Sequence, residues 1–252
     1  MLTDIRPSIT LTPRSYGRTE TGRVRTNNED ALLANDQLGL YVVCDGMGGH
    51  DGGEVASGAA INSVSTYFHE HRDEIRESCD DSVVMEHLVS EAIRAANCEI
   101  CRLSEDSDFV SSMGTTITLL LIRGEIGVMG HCGDSRLYQA TNGLDLLSCD
   151  HTMEQELRRN GFKGDGIKRY GHILTRVLGR ADFTGPDIET FSIEKGTRYL
   201  LCSDGLSGYL DEDTERWIDW SVDRRELLDQ LVDHAGSAGG KDNITGLIID
   251  VE

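Results

Sequence analysis

The stretch Leu40-Tyr-Val-Val-Cys-Asp45-Gly-Met-Gly-Gly-His50 joins a short apolar run to an aspartate and then to a glycine-rich turn. An apolar run of this length bounded by glycine reads as a buried strand, so Asp45 stands where a strand stops. The pattern recurs. Val128-Met-Gly-His-Cys-Gly133 runs into Asp134, which Ser135 and Arg136 follow. Tyr199-Leu-Leu-Cys-Ser203 runs into Asp204 and Gly205, and Asp242 opens the run Asn243-Ile-Thr-Gly-Leu-Ile-Ile249. A carboxylate at a strand end is held by a rigid sheet yet can face a cleft. Several converging there make a hard oxygen site for divalent cations. Two bare carboxylates ~4 Å apart repel by roughly 4 kcal/mol at an effective dielectric near 20. Such a cluster needs a cation or must stay protonated, and cations held in this way suit phosphoryl transfer.

Working outward, strand patterns fall near residues 16–24, 30–35 and 38–44, and a helix over 54–77 carries Val55, Ala59, Val64, Tyr67 and Phe68. A second helix is expected over 82–104, and residues 104–112 form a polar loop. Strands follow near 115–123, 126–132 and 136–140, then near 187–193 and 197–203. Helices are expected at 211–219 and 223–235, and a final strand at 243–251. Strands come as adjacent hairpins and helices in pairs, which predicts an α+β fold with antiparallel sheets. One domain over 15–252 is the economical reading, with residues 1–14 as a lead-in.

Residues 150–185 break the pattern and read as a flap-like surface insertion with short helices at best. Within 153–171 lie Gly161, Gly164, Gly166 and Gly171 beside Arg158, Arg159, Lys163, Lys168 and Arg169. Glycine raises the entropy of holding one conformation, and local positive charge can draw in acidic substrates. The segment is thus either a substrate-facing flap or a passive loop.

The chain has 252 residues, 24 basic against 44 acidic, for a net charge of −20. That balance opposes binding to nucleic acid or anionic membranes. No apolar run reaches bilayer length, and the start lacks the pattern of a signal peptide. Seven cysteines without a CxxC pair suit buried thiols in a reducing compartment, so a cytoplasmic location is expected.

Arg25-Thr-Asn-Asn-Glu29-Asp30 sets an arginine four residues before two acids. A guanidinium fork can pair two phosphate oxygens, although alone this motif reads as a surface ion pair. In order with Asp45-Gly-Met-Gly-Gly-His50, Met113-Gly-Thr-Thr116, Gly133-Asp-Ser-Arg136, Asp150-His-Thr152, Leu174-Thr-Arg-Val-Leu-Gly179, Ser203-Asp-Gly205 and Asp242-Asn243, it resembles the metal-dependent protein phosphatases of the PPM family (type 2C), in their bacterial form. The likeness runs from Gly22 to Val251.

The resemblance implies a four-layer α-β-β-α sandwich with two central antiparallel sheets. It implies hydrolysis of phosphoserine and phosphothreonine on proteins by metal-activated water, opposing a serine/threonine kinase, by a protein expected to be a monomer. It implies two Mn²⁺ or Mg²⁺ ions. Asp45 would bridge them, the Gly46 carbonyl would bind one, and Asp204 and Asp242 would bind the other. Asp134 with Asp204 would hold a third, weaker ion. Glu29 and Asp30 would partner metal-bound water, and Arg25 would hold phosphate. Two departures stand out. Animal members carry His directly after the Asp-Gly as general acid, where this chain has Met47. An acid of animal members is replaced by Ser111. His50 is nearby in sequence, with a direct role left open. Gly114 reads as a strand-packing device. A catalytically silent phosphoprotein sensor and a small-molecule phosphatase are the alternatives.

Overall fold

A computed structural model describes residues 11–48, 51–77, 81–106, 113–141, 143–211, 216 and 218–252. Two antiparallel sheets form its centre. The first takes the order β1-β11-β10-β7-β8, from β1 (Pro13–Glu20), β7 (Arg136–Gln139), β8 (Asp145–Leu146), β10 (Arg198–Cys202) and β11 (Ile244–Val251). The second takes the order β2-β3-β5-β6-β9, from β2 (Asp30–Asn35), β3 (Leu40–Met47), β5 (Ile117–Arg123), β6 (Ile126–Cys132) and β9 (Asp187–Ser192). The two-residue β4 (Gly114–Thr115) pairs with the end of β3.

Strand periodicity sorts the apolar residues into three cores. Successive side chains alternate between faces. On β3, Leu40, Val42 and Cys44 pack toward α1 (Gly52–Glu70) and α3 (Ser82–Asp106), whereas Tyr41 and Val43 enter the space between the sheets. On β10, Tyr199 and Leu201 enter that same space, and Leu200 and Cys202 face α6 (Arg224–Ser237). Both sheets are covered on both faces, so their central strands read as continuous apolar runs rather than alternating ones. The helices supply matching stripes, Ala56, Ala60, Val64 and Phe68 on α1 and Leu227, Leu228, Leu231 and Val232 on α6. The result is the expected α-β-β-α sandwich.

Several boundaries differ from the sequence reading, each for a local reason. β1 begins at Pro13, inside the stretch read as lead-in, because it pairs with β11 along its whole length. It ends before Gly22, whose φ of 80° turns the chain, and where an added Cβ would lie 2.2 Å from the Asp242 carbonyl. The helix expected over 54–77 is broken at His71, which caps Tyr67 O, and α2 (Arg72–Glu77) follows. The strand expected at 115–123 is interrupted at Thr116, whose N–H donates to Asp45 O at 2.9 Å. A short helix α5 (Asp204–Ser207) starts at an aspartate read as a strand end. Most of the helix expected at 211–219, and residues 107–112 of the polar loop, lie outside the described residues.

Within 150–185 the structure has α4 (Met153–Arg159), capped by Thr152, and a 3₁₀ turn over Asp165–Tyr170. α4 buries no side chain fully, and residues 158–166 are all exposed.

Candidate active site

The strand ends meet in a cleft of about 440 Å³ at one edge of the sandwich. The second sheet supplies Asp45 and Gly46 from β3 and Asp134 from the turn after β6. The first supplies Asp204 from the start of α5 and Asp242 from the approach to β11. Arg25 and Glu29 come from the β1–β2 connection. Asp30 is not among the lining residues. It sits opposite Asp45 in the β2–β3 register, with Ser203 Oγ donating to its Oδ2 at 2.8 Å. Its buried Oδ1 has no hydrogen-bond partner. Gly49 and His50 lie outside the described residues.

The backbone around these carboxylates is clamped. Asp45 N–H donates to Thr116 Oγ1 at 2.9 Å, and Asp45 O accepts from Thr116 N–H and Thr115 Oγ1, each at 2.9 Å. Thr116 Oγ1 also bonds Ser135 Oγ at 2.7 Å, which ties Asp45 to the turn carrying Asp134. Asn243 gathers the other side. Its Oδ1 accepts from Glu29 N–H at 2.8 Å, and its Nδ2 donates to Thr21 O and Asn27 O, each at 2.9 Å. Two glycines allow the chains to meet. A Cβ on Gly46 would lie 2.1 Å from Gly53 O, and one on Gly205 would lie 1.9 Å from Asn243 O. Gly114 is a packing residue too, since a Cβ there would lie 2.8 Å from Leu178 O.

Burial and mutual repulsion shape the electrostatics. Burial, then the Asp30 and Asp204 charges, pushes Asp45 well above the carboxylate range. Burial, with the charge of Asp204, raises Asp134 to about 7. Burial raises Asp30 to about 6, against hydrogen bonds from Thr245 and Ser203. Asp204 is raised by burial and by Asp242, and a hydrogen bond with Asp45 opposes this. Arg25 Nη2 donates to Asp242 Oδ2 at 2.7 Å, a half-exposed pair that raises the guanidinium further. Arg136, from the Gly-Asp-Ser-Arg stretch, is turned into a bidentate pair with Asp150.

Among the described residues, no three His, Cys, Asp or Glu side chains already close into a metal cage. The carboxylates instead surround an open cleft, and their chemistry fits hard divalent cations. All donors are oxygen, their charges crowd one another, and a cation relieves that repulsion.

Sequence reasoning missed residues in and behind the cleft. Thr116, Ser203 and Asn243 lay inside the quoted motifs, but only the folded chain shows what their side chains bond. His172 lines the cleft from the insertion, just ahead of the quoted stretch that opens with Leu174, which lines it too; glycine and charge gave no sign of His172.

The protein phosphatase 2C family profile matches residues 19–245. The chain belongs to that family. The serine/threonine protein phosphatase PstP of Mycobacterium tuberculosis is 34% identical over 248 residues, covering 96% of this chain but 46% of the relative. This chain thus spans about half of PstP. The serine/threonine phosphatase stp of Listeria monocytogenes is 32% identical over 241 residues, covering 92% of this chain and 94% of the relative. Among solved structures, the PstP catalytic domain in complex with two manganese ions superposes with a TM-score of 0.81 at 31% identity, covering 96% of this chain and 99% of that one. The phosphatase Stp1 from Staphylococcus aureus gives 0.84 at 25% identity, with both chains covered in full.

Proposed function

We propose that this chain hydrolyses phosphoserine and phosphothreonine on proteins with two Mn²⁺ or Mg²⁺ ions, opposing a serine/threonine kinase. The observation that carries the reading is the convergence of Arg25, Asp45, Gly46, Asp134, Asp204 and Asp242 on one cleft. Asp45, the Gly46 carbonyl, Asp204 and Asp242 would hold the two ions, and Asp134 with Asp204 a third, weaker one. Held there, such ions would supply Lewis-acid activation of water and attraction for phosphate oxygens. Glu29, on the cleft wall, suits a partner for that water. Asp30, behind Asp45, is better placed to orient the wall than to touch an ion. The guanidinium of Arg25 bonds Asp242 through one nitrogen, and its other N–H donors suit the phosphate.

The surroundings support the rest of the proposal. Among the described residues no helix is long and apolar enough to cross a membrane. The described cysteines Cys44, Cys98, Cys101, Cys132, Cys149 and Cys202 are all free thiols, which suits a reducing, cytoplasmic setting. The catalytic domain would occupy 15–252 with its strand β1 reaching back to Pro13, and the insertion would act as a flap against the substrate protein.

The test is phosphate release from a phosphothreonine peptide, with chelator and then Mn²⁺ added back. Chelator should abolish release and Mn²⁺ restore it. Full turnover in excess chelator would sink the two-ion reading. Peptide binding without turnover would favour the silent sensor, and turnover of small phosphates alone would favour a small-molecule phosphatase.

A further inference from the structure

Resting on that reading, the chemistry leaves one role unfilled. Serine and threonine leave phosphorus as alkoxides about as basic as hydroxide, whose parent water has a pKa of about 15.7. A proton delivered as the bond breaks lowers that barrier. Several side chains lining the cleft are poor donors. Met47 and Leu174 carry no acidic proton, and the Thr116 hydroxyl is committed to Asp45 N–H and Ser135. Arg25 is far too weak an acid. His172 is the one imidazole among the described lining residues, and imidazole is the side chain best suited to give and regain a proton near neutrality. It lines the cleft together with the carboxylates of Glu29, Asp45, Asp134, Asp204 and Asp242 and the Arg25 guanidinium.

The position of His172 is set by the fold, although it belongs to the insertion. Ile173 N–H donates to Tyr170 O at 3.2 Å, and Met153 N–H to Ile173 O at 2.8 Å. Leu174 bridges Thr152, and Thr175 N–H donates to His151 O at 2.9 Å. The buried His151 in turn grips the turn that presents Asp134. Its N–H donates to Gly133 O at 2.7 Å, and its Nδ1 accepts from Gly133 N–H at 3.0 Å. Asp187 Oδ2, 3.0 Å from His151 Nε2, fixes the far side of that ring. The limb carrying His172 is therefore tied by a short run of hydrogen bonds to the carboxylate floor.

We propose that His172 is a catalytic residue, the acid that protonates the leaving serine or threonine oxygen. Water oxygen forms the new bond to phosphorus as the bond to the side-chain oxygen breaks. The electron pair of that bond passes to the leaving oxygen, which takes a ring N–H proton from His172 and departs as the hydroxyl. The attacking water keeps one proton on inorganic phosphate and gives the other to solvent, from which His172 is reprotonated.

The experiment compares two leaving groups in the Mn²⁺-loaded enzyme. A phosphothreonine peptide needs the proton, and p-nitrophenyl phosphate, whose leaving group is a stabilised phenolate, needs it little. In His172→Gln and His172→Ala, kcat on the peptide should fall about 100-fold or more, while kcat on the aryl ester stays within about threefold. Mn²⁺ binding measured by calorimetry should be unchanged, and added imidazole should recover peptide turnover by His172→Ala. Equal losses on both substrates, a change in KM alone, or no loss would overturn the proposal. The same leaving-group selectivity in Asp134→Asn, and not in the His172 variants, would overturn it in favour of Asp134. A parent enzyme that turns over neither substrate overturns the phosphatase reading as well, whereas an active parent with unselective variants overturns this inference alone.

Discussion

Glycine is used in opposite ways on the two sides of the cleft. In the floor, Cβ atoms on Gly46 and Gly205 would lie 2.1 and 1.9 Å from backbone oxygens, and the strands leading there are buried on both faces. In the insertion, Cβ atoms on Gly161, Gly164 and Gly166 would meet nothing within 4 Å. The first pair lets chains approach until carboxylates from separate strands share one space. The second group leaves a surface segment cheap to reshape. We propose from this difference a division of labour, with the hydrolytic chemistry on the floor and substrate selection on the glycine-rich insertion, to which the floor lends one fixed limb through His151.

The sharpest way to break this comparison is to remove charge from the floor. Asp45→Asn and Asp204→Asn should each lower kcat by roughly 100-fold or more while the metal-free fold keeps or raises its Tm, because each relieves repulsion within a buried acidic cluster. Parent-like kcat in either variant would remove that residue from the machinery.

A buried histidine offers a pH test of floor rigidity. Burial drives His131 down to about 4, with its Nδ1 bonded to Thr118 Oγ1 at 3.0 Å. A base whose folded pKa is depressed favours folding in its neutral form. Its contribution is therefore full above about 6.5 and lost as the pH falls toward 4, and it amounts to about 3 kcal/mol. Urea unfolding of the parent and of His131→Gln at several pH values should show the parent's advantage shrinking over that window. A constant difference would mean that the site admits the charged ring.

Glycine itself can be tested on both sides. Gly205→Ala should cost about 1–3 kcal/mol through overpacking, read as a Tm lowered by roughly 2–4 °C per kcal/mol. Gly166→Ala should change stability by no more than about 0.5 kcal/mol. Similar Tm values for the two would dissolve the contrast. The smallest effect is expected when residues 161–168 become a Gly-Ser linker. Turnover of a small aryl phosphate should stay within about threefold, while turnover of a phosphoprotein weakens. If both respond alike, the insertion is no selectivity element.

The two regions also differed in how far the sequence disclosed them. The apolar runs ending in Asp45, Asp134 and Asp204 announced both sheets, because a strand buried on two faces leaves an unbroken hydrophobic signature. Glycine and charge marked 150–185 as a surface insertion, which holds for the exposed residues 158–166 but not for the buried His151 and Thr152 or for Leu178, which joins the core against α1 and α3. What composition could not carry was long-range geometry. Nothing local distinguishes Asp30, behind the wall, from Glu29, on it, because the alternation of β2 depends on its register with β3. The break at Thr116 follows from its bond to Asp45, a contact across 71 residues. His172 sits in a glycine-flanked, weakly patterned stretch, and its place on the cleft wall shows only in the folded chain, where neighbouring backbone bonds tie that stretch to Thr152 and His151.

Calorimetric titration of Mn²⁺ into the parent chain and into Asp45→Asn tests the central claim most directly, that strand-end carboxylates from both sheets assemble one cation site. The parent should bind two ions tightly, and Asp45→Asn, with a metal-free Tm no lower than the parent's, should lose tight binding of at least one. Indistinguishable isotherms for the two chains would contradict the account.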